Sequence, residues 1–359
     1  MHATGKRGPR AMKNFRVSPS GLRKILIIKP SALGDVMHGL PVLHALSRRF
    51  PGAELHWVVA KGFAGILEGH PLIDRLWIID KDTWKKPRNL PRTCSEIGKL
   101  WQDLRNEKFD LVIDLQGLFR SAAIGLFTGT GDRVGFDHAR EGAKFSYKYR
   151  VATDTEEHRA KTKTELHSVL KNLRLAEFVG CESADPVFTL PPLGEAPDVV
   201  RSMPQYAVIA PSAGTLVRRW PAECFGRLAS LLPIPSIIVG GKSDSALGDE
   251  VARLSGSRAV SLAGKTSLKE LGAIIRDAQF LVSPDTGPMH LAAALNVPVF
   301  AIFGPTSPFR NGPYGKIHTV IRLDLPCSLC FTRKPCPDWR CIREITPEMV
   351  LKVICEKMA

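Results

Sequence analysis

Residues Ile25, Leu26, Ile27 and Ile28 form an unbroken apolar run between Lys24 and Lys29. A strand with one wet face alternates polar and apolar positions, so this run fits a parallel strand covered by helices on both faces. Parallel neighbours need long crossovers, usually helical, which commits the chain to βα alternation. The alternation continues with a helix over 36–50, ended by Pro51-Gly52, and with strands at 54–59, 76–79 and 109–115. Helices fit 95–107 and 162–179.

Residues 184–204 hold five prolines and little helical periodicity, and read as a connection. A second βα series then starts, with strands at 206–210, 236–239, 280–282 and 297–303 and helices at 222–231, 246–254 and 268–277. The expected fold is α/β, two Rossmann-like doubly wound domains whose strand ends face each other across a cleft. The boundaries are 1–21 for a basic disordered tail, 22–185 for the first domain, 186–204 for the linker and 205–345 for the second domain. Residues 346–359 form a C-terminal helix, expected to pack back onto the first domain.

Charge narrows the partners. The net charge is +15, and removing the five cations of the first 21 residues leaves +10. Nucleic acid, an anionic membrane surface or an acidic substrate would each suit such a surface, as would plain solubility charge. No helix-turn-helix, zinc-finger or RNP pattern supports nucleic acid. The tail has no apolar stretch of the kind a secretory signal needs, and no run approaches a membrane span, so a cytoplasmic protein is expected. Cys327, Cys330, Cys336 and Cys341 cluster, but their spacing is irregular for a zinc ribbon; free thiols are favoured over a metal or a disulfide.

The chemistry-bearing positions sit where strands turn into helices. Ser283-Pro284-Asp285-Thr286-Gly287-Pro288 ends a strand and opens an Ala/Leu-rich helix carrying His290. Unpaired N–H groups and the positive dipole end at such a start can hold a diphosphate. Asp285 caps the helix or touches a ligand, and Thr286 and His290 share one helix face. A lone His among alanines is also often a buried core residue. In the first half, Ser31, Gly34 and Asp35 follow the first strand; Asp35 can cap the helix or serve as a base on a substrate hydroxyl. Ser212 ends the second domain's first strand, Arg218 and Arg219 precede the next helix, and Asp244 follows Gly240-Gly241, suited to a phosphate and a ribose.

The stretches 29–38 (KPSALGDVMH), 283–294 (SPDTGPMHLAAA) and 303–306 (FGPT) resemble the motifs of the lipopolysaccharide heptosyltransferases, glycosyltransferase family 9. Residues 109–121 and 218–221 extend the likeness over about 22–353. The resemblance implies a GT-B fold and inverting transfer of heptose from ADP-heptose to the Kdo or inner-core region of lipopolysaccharide. It implies Asp35 as general base and Asp285, Thr286, Gly287 and His290 on the donor's heptose and diphosphate; Arg218 stands where many relatives carry a Lys, and Ser212 and Asp244, read from their own turns, join the donor side. Ser31, Gly34, Arg120, Arg140 and Lys144 fall to the acceptor side. No metal or other cofactor is expected, nor nucleic acid; an anionic inner-membrane surface is the expected peripheral contact, met through Arg120, Arg140, Lys144 and Lys148. Residues 57–63 and the Arg140-Glu141 pair look more like the first-heptose enzymes, while the cysteine-bearing tail is similar to other subgroups, second-heptose enzymes among them. A transferase of the second heptose or another family 9 transferase is the alternative, and a non-transferring nucleotide-sugar epimerase of the same fold is the alternative of another class.

Overall fold

The computed structural model describes residues 21–84, 89–153, 165–332, 334 and 336–358. The basic tail and the start of the helix expected over 162–179 lie outside them.

The first sheet contains β1 (Lys24–Ile28), β2 (Glu54–Ala60), β3 (Arg75–Ile79), β4 (Leu111–Asp114), β5 (Arg133–Phe136) and β6 (Tyr149–Val151). Its order is β3-β2-β1-β4-β5-β6, with every pair parallel. The second contains β7 (Ala207–Ile209), β8 (Ser236–Ile238), β9 (Ala259–Ser261), β10 (Phe280–Pro284), β11 (Val299–Ile302) and β12 (Thr319–Ile321). Its order, β12-β11-β10-β7-β8-β9, is the same doubly wound arrangement, again all parallel. Apart from Lys24, the side chains of β1 are fully buried, which the unbroken apolar run requires.

The longer helices of the first half are α1 (Leu33–Arg49), α2 (Leu90–Asn106), α3 (Phe119–Phe127) and α4 (Ser168–Phe178). Those of the second are α5 (Ala222–Leu231), α6 (Ser245–Leu254), α7 (Leu268–Arg276), α8 (Gly287–Ala294) and α9 (Pro347–Met358). The two sheets meet through α1 and α8, which pack on each other, and α4 lies along α1. Val36, Met37 and Leu40 of α1 share one buried cluster with Met289, Leu291 and Ala292 of α8, so the apolar interior runs from one sheet into the other.

The C-terminal helix corrects an expectation. It packs on α5 in the second half, not on the first domain. Val350 and Ile354 of α9 enter a cluster with Trp220 and Phe225, and Trp220 Nε1 donates to Ile345 O at 2.8 Å. The apolar side of α9 is satisfied by the domain nearest to it in sequence.

Candidate active site

The strand order reverses direction between β1 and β4 in the first sheet and between β7 and β10 in the second. Loops leaving strands on either side of such a point diverge and open a crevice. Here both crevices belong to one cleft of about 900 Å³, lined from the first half by Lys29, Gly34, Asp35 and Arg140, and from the second by Ser212, Arg218 and residues 285–288.

On the first side, Asp35 is the third residue of α1, and its Oδ2 accepts from the Ala32 N–H at 3.1 Å. The carboxylate therefore caps from the third helical position back to the preceding backbone, the acidic half of a capping box. It remains 47% exposed, with its other oxygen 3.6 Å from Lys29 Nζ. Lys29 is buried and donates to Leu115 O at 2.6 Å. Sequence reading gave Lys29 no role, although a lysine ending a fully buried strand is itself a signal, because an ammonium group is rarely enclosed without partners.

On the second side, Thr286 is the N-cap of α8 with extended backbone, and its hydroxyl makes no capping bond. Pro288 occupies a first-turn position where its missing N–H costs nothing. Asp285 is only 7% exposed, and its Oδ2 accepts from Arg218 Nη1 at 3.1 Å. Burial pushes the Asp285 carboxyl up, while Arg218 pulls it down. Asp244 is tied into its own turn: Oδ1 accepts from the Ser212 hydroxyl at 2.7 Å and Oδ2 from the Gly241 N–H at 2.9 Å.

The two helix starts touch. A Cβ on Gly34 would overlap the His290 ring, and one on Gly287 would come within 2.9 Å of Leu33 Cβ. Each motif thus supplies a glycine for the approach of the other helix. Four residues after Gly34, His38 Nε2 lies 2.9 Å from His290 Nδ1, with both imidazoles buried. His167 stands edge-on to His38, ring centroids 5.5 Å apart. Burial lowers His290 and His167 to about 4 and holds His38 well below its ordinary value, so all three are neutral at pH 7. His290 is a neutral hydrogen-bonding group here, not a cation.

Of the residues singled out from sequence, Gly34, Asp35, Arg140, Ser212, Arg218, Asp244, Asp285, Thr286, Gly287 and His290 line the cleft. Ser31, Arg120 and Lys144 do not. Arg120 is exposed on α3, and Lys144 lies over the Phe145 ring, 5.3 Å from its centroid. Sequence reading missed Lys29, His38 and the α4 residues Ser168, Lys171 and Asn172, which complete the wall. Cys327, Cys330, Cys336 and Cys341 surround a separate small cavity as free thiols. Among the described residues no group of three or more His, Cys, Asp or Glu is set to hold a metal ion, and no helix is long and apolar enough to cross a membrane.

Residues 97–338 match the family described as glycosyltransferase family 9 (heptosyltransferase). Lipopolysaccharide heptosyltransferase 1 of Pseudomonas aeruginosa is 32% identical over 320 residues, covering 87% of each chain. The protein of the same name from Escherichia coli K12 is 30% identical, over 83% of this chain and 93% of its own. Among solved structures, E. coli heptosyltransferase WaaC with ADP aligns at a TM-score of 0.74 and 26% identity, over 93% of this chain and 99% of that one.

Proposed function

The chain belongs to glycosyltransferase family 9, and from that premise we propose that it transfers L-glycero-D-manno-heptose from ADP-heptose to the Kdo region of the lipopolysaccharide inner core. The observation that carries this reading is the cleft itself, where a half-exposed carboxylate on α1 faces an anion-suited helix start on α8. The relatives at 30–32% identity named heptosyltransferase 1 support the first heptose as the one added. Phe63 and Arg140, from segments that resemble the first-heptose enzymes, line the first-domain side of the cleft.

In this mechanism Asp35 takes the proton of the acceptor hydroxyl as its oxygen attacks the anomeric carbon. The bond to ADP breaks on the opposite face, its electron pair leaves with the diphosphate, and the configuration inverts. Negative charge growing on the leaving group meets the backbone N–H groups at the start of α8, the Thr286 hydroxyl, the His290 ring and Arg218. Lys29 Nζ lies 3.6 Å from one oxygen of Asp35, and the carboxylate stays 47% exposed. In this reading the Ser212–Asp244 pair, joined at 2.7 Å on the cleft wall, serves a ribose hydroxyl of the donor.

The proposal includes contact with an anionic membrane, because the acceptor is a lipid. Phe119 and Phe145 are 66% and 73% exposed on two segments that pack together, and Lys144 and Arg150 lie over the Phe145 ring. Apolar tips among cations suit a headgroup layer. Sedimentation with phosphatidylglycerol vesicles should fall in the Phe119→Ser, Phe145→Ser double variant; unchanged sedimentation would remove the membrane contact from the proposal.

The transfer itself is tested by following ADP release from ADP-heptose with Kdo2-lipid A or its mono-heptosylated form. Release with Kdo2-lipid A is expected. Release only with the mono-heptosylated acceptor would move the reading to the second heptose, and epimerisation of a nucleotide sugar with neither acceptor would overturn transfer.

A further inference from the structure

The contact between His38 and His290 joins the two domains across 252 positions of sequence. Both rings are neutral near pH 7, so a single proton lies between His38 Nε2 and His290 Nδ1, and it belongs to one ring or the other. The surroundings decide which. His38 Nδ1 is buried and has no hydrogen-bond partner. If His290 donated through Nδ1, the His38 proton would have to sit on that enclosed Nδ1, as a buried N–H with no acceptor. If His38 donates through Nε2, only a bare lone pair is left at Nδ1. An orphaned buried donor is the rarer defect. His167 does not rescue His38 Nδ1, because its own nitrogens are used: Nε2 bonds Gly312 O at 3.0 Å and Nδ1 accepts from the Val169 N–H at 3.2 Å.

We infer that His38 is a positioning residue that donates through Nε2 to His290 Nδ1 and so fixes His290 as the tautomer with its proton on Nε2. That nitrogen lies on the Gly34 side of the ring, 3.1 Å from where a Gly34 Cβ would stand, and the residue lines the cleft. A neutral imidazole offers either a donor or an acceptor there, and against a diphosphate the wrong choice sets a lone pair against anionic oxygens. The chain supplies the right choice from the opposite domain. Asn172 Nδ2 donates to His38 O at 3.0 Å, so α4 braces the α1 turn that carries the relay. The inference deepens the donor-site reading and rests on it for the identity of the ligand. The tautomer assignment itself stands on the free protein's geometry.

The test separates the two. Long-range ¹⁵N–¹H spectra of the ring nitrogens in the full chain, without substrate, should show His290 protonated at Nε2 and bare at Nδ1. In His38→Leu, which keeps bulk but loses the donor, that single tautomer should give way to a mixture. With ADP-heptose and acceptor, kcat should fall by about 10²-fold in this variant, as for loss of one fixed donor, while the donor KM changes much less. His38→Gln, whose amide nitrogen reaches the Nε2 position, should recover most of the loss. Equal thermal unfolding of both variants would show that the difference is not structural. His290 protonated at Nδ1 in the free protein, or turnover in His38→Leu equal to His38→Gln, would overturn the relay. The expected spectra from a protein that transfers no heptose would leave the relay standing and break the functional reading instead.

Discussion

The turns after β1 and β10 flank the reversal points of two sheets with one strand order, and they carry opposite equipment. The first keeps its carboxylate half exposed and buries a lysine beneath it; the second buries its carboxylate against Arg218 and leaves a helix start facing the cleft. Each helix start uses a glycine, and both glycines serve the same contact, α1 against α8. One architecture used twice has thus been specialised by burial. The exposed carboxylate is open to a substrate hydroxyl, whereas the enclosed one is already engaged with arginine.

The largest expected effect tests the exposed carboxylate. Asp35→Asn should lower kcat by about 10²–10⁴-fold, the range for a lost general base, and steady-state ADP release checks it. Retained turnover would reduce Asp35 to a helix cap.

Acidification tests the second turn and the histidines that join it to the first. His290 and His167 have folded-state values of about 4, below the ordinary 6.5, so the unfolded chain binds more protons between those values. Their contribution is complete above about pH 6.5 and is lost as pH falls toward 4, by up to about 3 kcal/mol for each ring. Asp114 and Asp285 act in the opposite sense, because burial raises their carboxyls and acid then favours the folded form through them. Denaturant unfolding should show stability dropping across the histidine window, and a flat profile from pH 7 to 5 would contradict the neutral cluster.

Arg218→Met should cost about 3 kcal/mol, because the enclosed Asp285 loses its ionic partner. Adding Asp285→Asn should return most of that stability, measured by the same unfolding experiment. Full additivity of the two changes would mean that the ion pair does not couple the loop to the turn. The smallest effect is expected at the helix contact. Gly34→Ala pushes a methyl into a ring that His38 already holds, for about 1–3 kcal/mol of overpacking. No change in Tm would show that α1 and α8 can separate freely.

Much of this was legible in the chain. The apolar runs of β1, β2, β4 and β10 announced parallel strands, and the turns after β1 and β10 carried the motifs that line the cleft. The strands β5, β6, β9 and β12 were not legible; Arg133, Arg150, Ser261 and Thr319 leave them without the longer apolar runs that marked the equally short β7 and β8. Helix α3 was also missed; only its start, 119–121, was read, as the end of a motif. The partners of Lys29 and His38 were hidden for a different reason. Leu115 is 86 positions from Lys29 and His290 is 252 from His38, and local patterning carries no record of which turns meet. The C-terminal helix was assigned to the wrong neighbour because amphipathicity tells which face is buried, not against what.

The division of labour between the two turns is tested most directly by calorimetric titration of ADP-heptose into folded Asp35→Asn and His290→Ala proteins. Asp35→Asn should bind the donor like the unaltered protein, and His290→Ala should bind it about tenfold more weakly, as for one lost hydrogen bond at about 1.4 kcal/mol. Loss of donor binding in Asp35→Asn, with His290→Ala unaffected, would contradict the assignment of proton abstraction to the first turn and of the leaving group to the second.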